Sequence, residues 1–304
     1  MINNTQTVIL TGASGFIGSH LVNRLIELGF LVIAVTRSPE KNLGRQCENL
    51  FWIQWSDIDG FLLKNSLSPI AVMHLATAYG RNNENLASIE EANVRMPLNL
   101  LELAVKHKIS LFINTDSYFT KPEFNYQYMR PYIITKNSFR KWGEFISSYT
   151  DLYFVNMRLE HVYGPGDGKG KFIPYIIESL YANKDFIECT DCTQKRDFIY
   201  IDDVVSAYIT FLNKSLPSKY VECEVGLGVS IPLREFLEKI REKTKEIKHE
   251  TKTVFKFGSI KQRDNEILES KAKISLLESL GWKPEVEYLV GISKTLERIN
   301  DDAN

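Results

Sequence analysis

Cysteine and histidine are scarce, with 4 and 5 residues in a chain of 304. Cys189-Thr190-Asp191-Cys192 has the C-x-x-C spacing. No second cysteine or histidine pair accompanies it, and a single pair makes a poor zinc site. No metal is expected, and the spacing of Cys189 and Cys192 is read as coincidence, with a reactive dithiol as the minor reading. An excess of charge of one sign is also missing. Lys and Arg number 37 against 38 for Asp and Glu, a net charge of −1. No bulk basic field therefore points to nucleic acid or to an anionic membrane surface. No apolar run approaches the ~20 residues a bilayer-spanning helix needs. The segment Met1-Ile2-Asn3-Asn4-Thr5-Gln6 carries no charged signal-peptide pattern, and the expected location is the cytoplasm. No internal repeat or low-complexity tract stands out.

What the chain does have is core material, 44% of its residues being hydrophobic. The length suggests about two domains. Apolar segments near 7–11, 31–35, 70–75, 110–114 and 153–158 alternate with helical patterns, including 93–107 and 132–148. That alternation predicts an α/β fold, a doubly wound parallel (Rossmann) sheet with a smaller C-terminal substrate domain. The expected boundaries are residues 1–163 for the dinucleotide-binding domain, to which 197–223 return. Residues 164–196 and 224–304 then form the substrate domain. A glycine-rich loop (Gly164, Pro165, Gly166, Gly168, Gly170) opens that second part. A charged helix is expected over 233–244, its Lys/Glu run forming a solvated face.

Two segments carry chemistry. The first is Thr11-Gly12-Ala13-Ser14-Gly15-Phe16-Ile17-Gly18. It follows a short buried strand, Val8-Ile9-Leu10, and precedes a helical pattern from His20 to Leu28 that Gly29 closes. Glycines on a strand-to-helix turn let backbone approach a pyrophosphate, while the helix N-terminus offers N–H donors. Gly12, Ser14, Gly15, Phe16, Ile17 and Gly18 are thus expected to hold a dinucleotide. The next strand, 31–35, ends in Thr36-Arg37-Ser38. An NAD-selective site usually places an acid there for the ribose hydroxyls. Arg37, with Ser38, suits the 2′-phosphate of NADP(H) instead.

The second segment is Tyr132-Ile133-Ile134-Thr135-Lys136. Residues four apart share one helix face. A lysine ammonium beside a tyrosine favours the phenolate, and the expectation is a lowered Tyr132 pKa. A tyrosine so tuned serves as acid or base. An upstream hydroxyl completes the set: Ser117, or Thr115 if the local register slips.

These residues resemble those of the extended short-chain dehydrogenases/reductases, the nucleotide-sugar epimerase/dehydratase kind, over essentially the whole chain. The likeness also rests on His74-Leu75-Ala76-Thr77, Asn93, Arg158, Val162-Tyr163-Gly164-Pro165-Gly166, Arg196-Asp197-Phe198-Ile199-Tyr200-Ile201-Asp202-Asp203-Val204 and Gly281-Trp282-Lys283-Pro284. The resemblance implies a Ser117–Tyr132–Lys136 triad, with Tyr132 and Lys136 also touching the cofactor. It implies adenine contacts at Asp57 and Ile58, and cofactor contacts at Leu75 and Ala76. Substrate contacts fall at Thr77, His161, Lys171 and Phe172, with Arg196 and Arg263 on a diphosphate. His161 stands where the family often has Asn. The helices at 93–107 and 132–148 are those by which such proteins pair, so a homodimer is expected.

A narrower likeness joins Asn114-Thr115-Asp116-Ser117, Arg158-Leu159-Glu160-His161 and Gln262-Arg263-Asp264-Asn265-Glu266-Ile267. These resemble the 4-ketoreductases of CDP-activated 3,6-dideoxyhexoses, which use NADPH. A nucleotide-sugar 4-epimerase is the second expectation. A 4,6-dehydratase ranks below it because Ser117 stands in the usual glutamate neighbourhood beside Asp116. A non-catalytic NADP-binding regulator is the non-enzyme reading, and it has no need of the Tyr132–Lys136 pair.

Overall fold

The computed structural model describes residues 6–81, 84–248 and 251–303. Thirteen strands run in the order β1 (Thr7–Thr11), β2 (Leu31–Thr36), β3 (Leu50–Gln54), β4 (Pro69–His74), β5 (Leu111–Ser117), β6 (Tyr153–Leu159), β7 (His161–Tyr163), β8 (Phe186–Glu188), β9 (Lys195–Arg196), β10 (Phe198–Tyr200), β11 (Tyr220–Val225), β12 (Ile231–Pro232) and β13 (Val254–Lys256). The helices are α1 (Phe16–Glu27), α2 (Ile58–Lys64), α3 (Leu86–Glu90), α4 (Met96–Lys106), α5 (Arg130–Tyr149), α6 (Phe172–Tyr181), α7 (Ile201–Leu212), α8 (Leu233–Lys248), α9 (Ser275–Ser279) and α10 (Tyr288–Ala303).

Two compact units form. The first is Met1–Glu123, Gln127–Arg158 and Val205–Cys223; the second is Phe124–Tyr126, Leu159–Val204 and Glu224–Asn304. The first exchange therefore falls at Leu159 rather than Gly164, and the return at Val205 rather than Asp197. Hydrogen bonding accounts for both. The Glu160 amide already bonds Val225 O within the second unit. Asp203, in the first turn of α7, accepts from the amides of Glu285 and Val286 (3.0 Å each).

The first unit is built on a seven-stranded sheet of order β3-β2-β1-β4-β5-β6-β11. The pairs β2/β3, β1/β2, β1/β4 and β4/β5 are parallel. At the other edge, Phe154 N bonds Lys219 O and Glu160 N bonds Val225 O, so β6 and β11 also run together. Strand β1 is buried at all five positions, as a strand covered on both faces must be. Ile9, Ile33, Val72, Leu101, Phe112 and Phe154 belong to one apolar core. The expected doubly wound α/β fold is what forms.

Two strands of this sheet lie outside the five expected from the sequence. β3 alternates buried and half-buried residues, and β11 interleaves its apolar side chains with Glu222 and Glu224. Helix α1 begins at Phe16, not His20, because Gly15 is its N-cap and Gly18 lies inside its first turns. It ends as expected at Gly29, where φ is +83°.

The second unit holds short pairs: β7 with β10 parallel, β9 with β12 antiparallel, β8 with β13 parallel. Its core is aromatic. Phe236 of α8 stacks on Phe198 with centroids 3.7 Å apart, and Tyr163 meets Phe236 edge-on. Asp197 is wholly buried and accepts from the amides of Leu227, Gly228 and Ala272. Asp197 and Asp203 are therefore clamps that tie chain segments together. No helix among the described residues is long and apolar enough to cross a membrane.

Candidate active site

The strand order reverses direction at β1, which lies between β2 and β4. Such a switch point leaves a crevice at the carboxyl ends of the strands, the usual ligand position in an open parallel sheet. Thr11 and Gly12 lie at the end of β1, and His74, Leu75 and Ala76 at the end of β4. The Thr11 hydroxyl accepts from the amides of Leu75 (3.1 Å) and Ala76 (3.2 Å) and lies 2.8 Å from His74 Nδ1. With two donors pointing in, its own proton goes to His74, whose buried ring is held well below the ordinary histidine pKa by burial and then by Lys136.

The turn fits a dinucleotide pyrophosphate. Gly12 has φ +70°, and a Cβ there would sit 2.7 Å from Ala76 N. A Cβ on Gly18 would overlap the Gly12 carbonyl and lie 2.8 Å from Ala13 Cα. Backbone is thus packed on backbone as tightly as glycine allows. Helix α1 then starts at this turn without any side-chain cap, so its positive end is left to an anion. Gly12, Ser14, Gly15, Phe16, Ile17 and Gly18 all lie on this stretch. Arg37 is exposed and Ser38 half-buried just past β2. Asp57 is exposed and takes the Ser56 hydroxyl at 2.9 Å. Ile58 follows with its side chain wholly buried in the core and its amide bonded to Trp55 O.

Tyr132 and Lys136 lie on α5 with exposures of 4% and 2%. The Tyr132 phenol is within hydrogen-bond reach of the Ser117 hydroxyl. Thr115, one strand repeat earlier on the same face of β5, is engaged elsewhere: its hydroxyl lies 2.5 Å from Tyr208 Oη. The Lys136 ammonium donates to Thr115 O at 2.7 Å. Its Nζ lies 5.7 Å from the Tyr132 ring centroid. The expected lowering of the Tyr132 pKa by Lys136 is not found in the chain by itself. Burial pushes the phenol well above its ordinary value, and Tyr79 and Asp116 push the same way. Burial also brings Lys136 down to about 8. Spacing suggested a charge effect, and desolvation outweighs it.

Asn93 organises the segment after β4. Its side-chain oxygen accepts from Ala78 N (2.7 Å) and from the Thr77 hydroxyl (3.1 Å). Its nitrogen donates to Ala78 O and to Thr135 of α5. It sits in a π-turn, Glu91–Arg95, which precedes α4. Tyr79, which nothing in the sequence marked, stacks on Tyr132 with centroids 5.2 Å apart and planes 22° from parallel. Arg81 lies over the other ring of that pair, 5.6 Å from the Tyr79 centroid.

In the second unit, Arg196 is buried and donates to Lys195 O (2.8 Å) and Glu266 (2.5 Å). Arg263 is exposed and reaches the Tyr126 hydroxyl at 3.3 Å. Tyr126 feels the charges of Arg263, Glu266 and Arg196 together, so the two arginines gather about one tyrosine and one carboxylate. His161 joins them, its pKa pushed well below the ordinary value by burial and then by Arg196. Lys171 instead pairs with Asp167 at 2.6 Å, and Phe172 opens α6 with its ring exposed. Cys189 and Cys192 are buried free thiols. A hydrogen bond between them lowers Cys192 to about 7 and raises Cys189. Among the described residues no group of three or more His, Cys, Asp or Glu could hold a metal.

Solved structures share this architecture. UDP-glucose 4-epimerase from Thermotoga maritima, in complex with UDP-glucose, superposes with a TM-score of 0.81 at 24% identity, over 98% of this chain and all of that one. Sequence brings nearer relatives. CDP-abequose synthase of Salmonella typhimurium is 46% identical over 298 residues, 97% of this chain and 98% of that protein. CDP-abequose synthase of Salmonella muenchen is 39% identical over 97% and 99%. The pattern of the NAD dependent epimerase/dehydratase family matches residues 8–222. That span takes in the glycine turn, the buried phenol and the lysine beside it, and it makes this chain a member of the NAD dependent epimerase/dehydratase family, the extended short-chain dehydrogenases/reductases.

Proposed function

We propose that this protein is an NADPH-dependent 4-ketoreductase of a nucleotide-activated deoxysugar. Its substrate is CDP-4-keto-3,6-dideoxy-D-glucose and its product CDP-abequose or CDP-paratose. The observation that carries the reading is the buried Tyr132 phenol against the Ser117 hydroxyl, with Lys136 on the next turn of the same helix. The identity with CDP-abequose synthases over nearly the whole chain supports the substrate class.

When bound, the nicotinamide cofactor supplies hydride to C4. The protein's task is the proton. Tyr132, kept protonated by its burial, donates to the ketone oxygen as that oxygen becomes an alkoxide. Ser117 donates to the same oxygen and orients it. Lys136 holds the nicotinamide ribose and supplies positive charge beside the phenolate that Tyr132 becomes. A group held protonated suits the reducing direction, whereas an epimerase must first take a proton from an alcohol. Leu75 and Ala76 line the cofactor, and Asp57 and Ile58 meet its adenine. Arg196 and Arg263 take the substrate diphosphate, for which planar guanidinium groups are suited. Thr77, His161, Lys171 and Phe172 contact the rest of the nucleotide sugar. The enzyme acts in the cytoplasm as a homodimer, paired through α4 and α5.

NADPH oxidation with CDP-4-keto-3,6-dideoxyglucose, followed by NMR of the product, tests this reading. Stoichiometric oxidation is expected, and the C4 configuration distinguishes abequose from paratose. No oxidation, with a nicotinamide dinucleotide retained in the purified protein, moves the assignment to the 4-epimerase. Cofactor choice has its own test. Arg37→Asp is expected to lower the ratio of NADPH to NADH efficiency by about tenfold or more, the worth of one charge-assisted hydrogen bond. An unchanged ratio shows that Arg37 is not the selector.

A further inference from the structure

One buried charge beside Tyr132 has no part in the reaction as written. Asp116 is 2% exposed and immediately precedes Ser117. Its carboxylate takes three hydrogen bonds. Oδ1 accepts from the Ser117 amide at 2.8 Å. Oδ2 accepts from the Thr120 hydroxyl at 2.9 Å and from the Asn156 side chain at 2.8 Å. With both oxygens engaged, Asp116 is poorly placed to act as a free acid on substrate, as a dehydratase would require.

Its countercharge stands off. Arg158 Nε is 3.8 Å from Oδ2 and donates to Thr120 at 3.2 Å. The other end of that guanidinium pairs with Glu222, which also takes Arg140 at 2.7 Å. Arg158 is thus shared between two carboxylates and neutralises Asp116 only in part. On the other side, Lys136 bonds the carbonyl of Thr115, the residue before Asp116.

We propose that Asp116 is a positioning residue of this active site: it pins Ser117 where Ser117 meets Tyr132, and it supplies the negative charge that Tyr132 and Lys136 face at the end of β5. The inference rests on the roles given above to Tyr132 and Lys136. The groups facing this pair are few. Lys136 faces the neutral ring of His74 and the Asp116 charge. Tyr132 faces Tyr79, Asp116 and Tyr118. A carboxylate raises the pKa of an ammonium and of a phenol alike. Asp116 therefore opposes the fall that burial imposes on Lys136 and adds to the rise of Tyr132. Both effects keep Tyr132 and Lys136 in their protonated forms: Tyr132 then holds the one proton the ketone takes, and Lys136 the positive charge beside it.

Asp116→Asn removes the charge and keeps the shape. The readout is the NMR titration of isotope-labelled lysine side chains in the cofactor-free protein, the Lys136 signal being the one lost in Lys136→Met. The Lys136 midpoint is expected to fall from about 8 by about one unit, the usual reach of a nearby carboxylate. The alkaline limb of kcat/KM should move to lower pH with it. Thr120→Val serves as the second variant: it takes one donor from the carboxylate, leaves the charge less shared, and should move the midpoint upward. A Lys136 titration that stays in place in either folded variant overturns the proposal, and so does a lowered Tm with no such movement. Turnover retained by Tyr132→Phe would overturn the reaction assigned above and leave the titration result to judge Asp116 separately.

Discussion

Tyr132→Phe is expected to lower kcat by about 10³-fold, within the range a positioned general acid contributes, while NADPH still binds. Phenylalanine keeps the ring, and with it the stack on Tyr79 and the packing of α5. What goes is one hydroxyl and its hydrogen bond to Ser117. Loss of a neutral hydrogen bond costs about 0.5–1.5 kcal/mol, so cofactor affinity should change by roughly tenfold at most. Turnover depends on that hydroxyl far more steeply. Without it the alkoxide forming at C4 has no proton donor nearer than Ser117, itself a weak acid. Stopped-flow reduction and NADPH fluorescence titration on the same preparation separate the two quantities. Unchanged turnover would sink the proposed chemistry, and loss of NADPH binding with turnover per bound cofactor intact would make Tyr132 a binding residue only.

The two motifs were readable in the chain because each depends on a local backbone demand. Gly12 and Gly18 occupy places where any Cβ collides with main chain, and a helix face brings positions four apart together whatever surrounds it. The roles within the motifs were less readable. Ser117 and Thr115 point to the same side of β5, and only the fold shows that Tyr208, 93 residues away from Thr115, claims the latter. The Tyr132 pKa moves opposite to expectation because spacing reports neighbours and not burial. β11 escapes for a related reason: an edge strand of a parallel sheet needs only one apolar face, and Glu222 and Glu224 on the other hide it. Asp197 and Asp203 belong to the motif that carries the family likeness, and the sequence assigns them no role at the site. Their carboxylates satisfy backbone amides, which a buried acid must do to remain buried.

Gly18→Ala is expected to weaken NADPH binding by on the order of 10- to 100-fold, the equivalent of the 1–3 kcal/mol that overpacking typically costs. The added methyl meets the Gly12 carbonyl oxygen and Ala13 Cα. Both belong to backbone, so no side chain can swing away to make room. Relief requires α1 to shift from the turn, or the turn to shift from the ends of β1 and β4. Either movement displaces the amides that converge on the pyrophosphate. Strand β1 is paired on both sides and does not depend on that methyl's position, so the unliganded protein should keep most of its Tm. Gly60→Ala is the control. Gly60 lies in α2 and a Cβ there meets nothing within 4 Å. The change should stabilise the fold by about 0.5–1 kcal/mol, the helix cost of glycine relative to alanine, with NADPH affinity unaltered. Equal NADPH affinity in Gly18→Ala and the parent would mean that the dinucleotide does not sit on this turn.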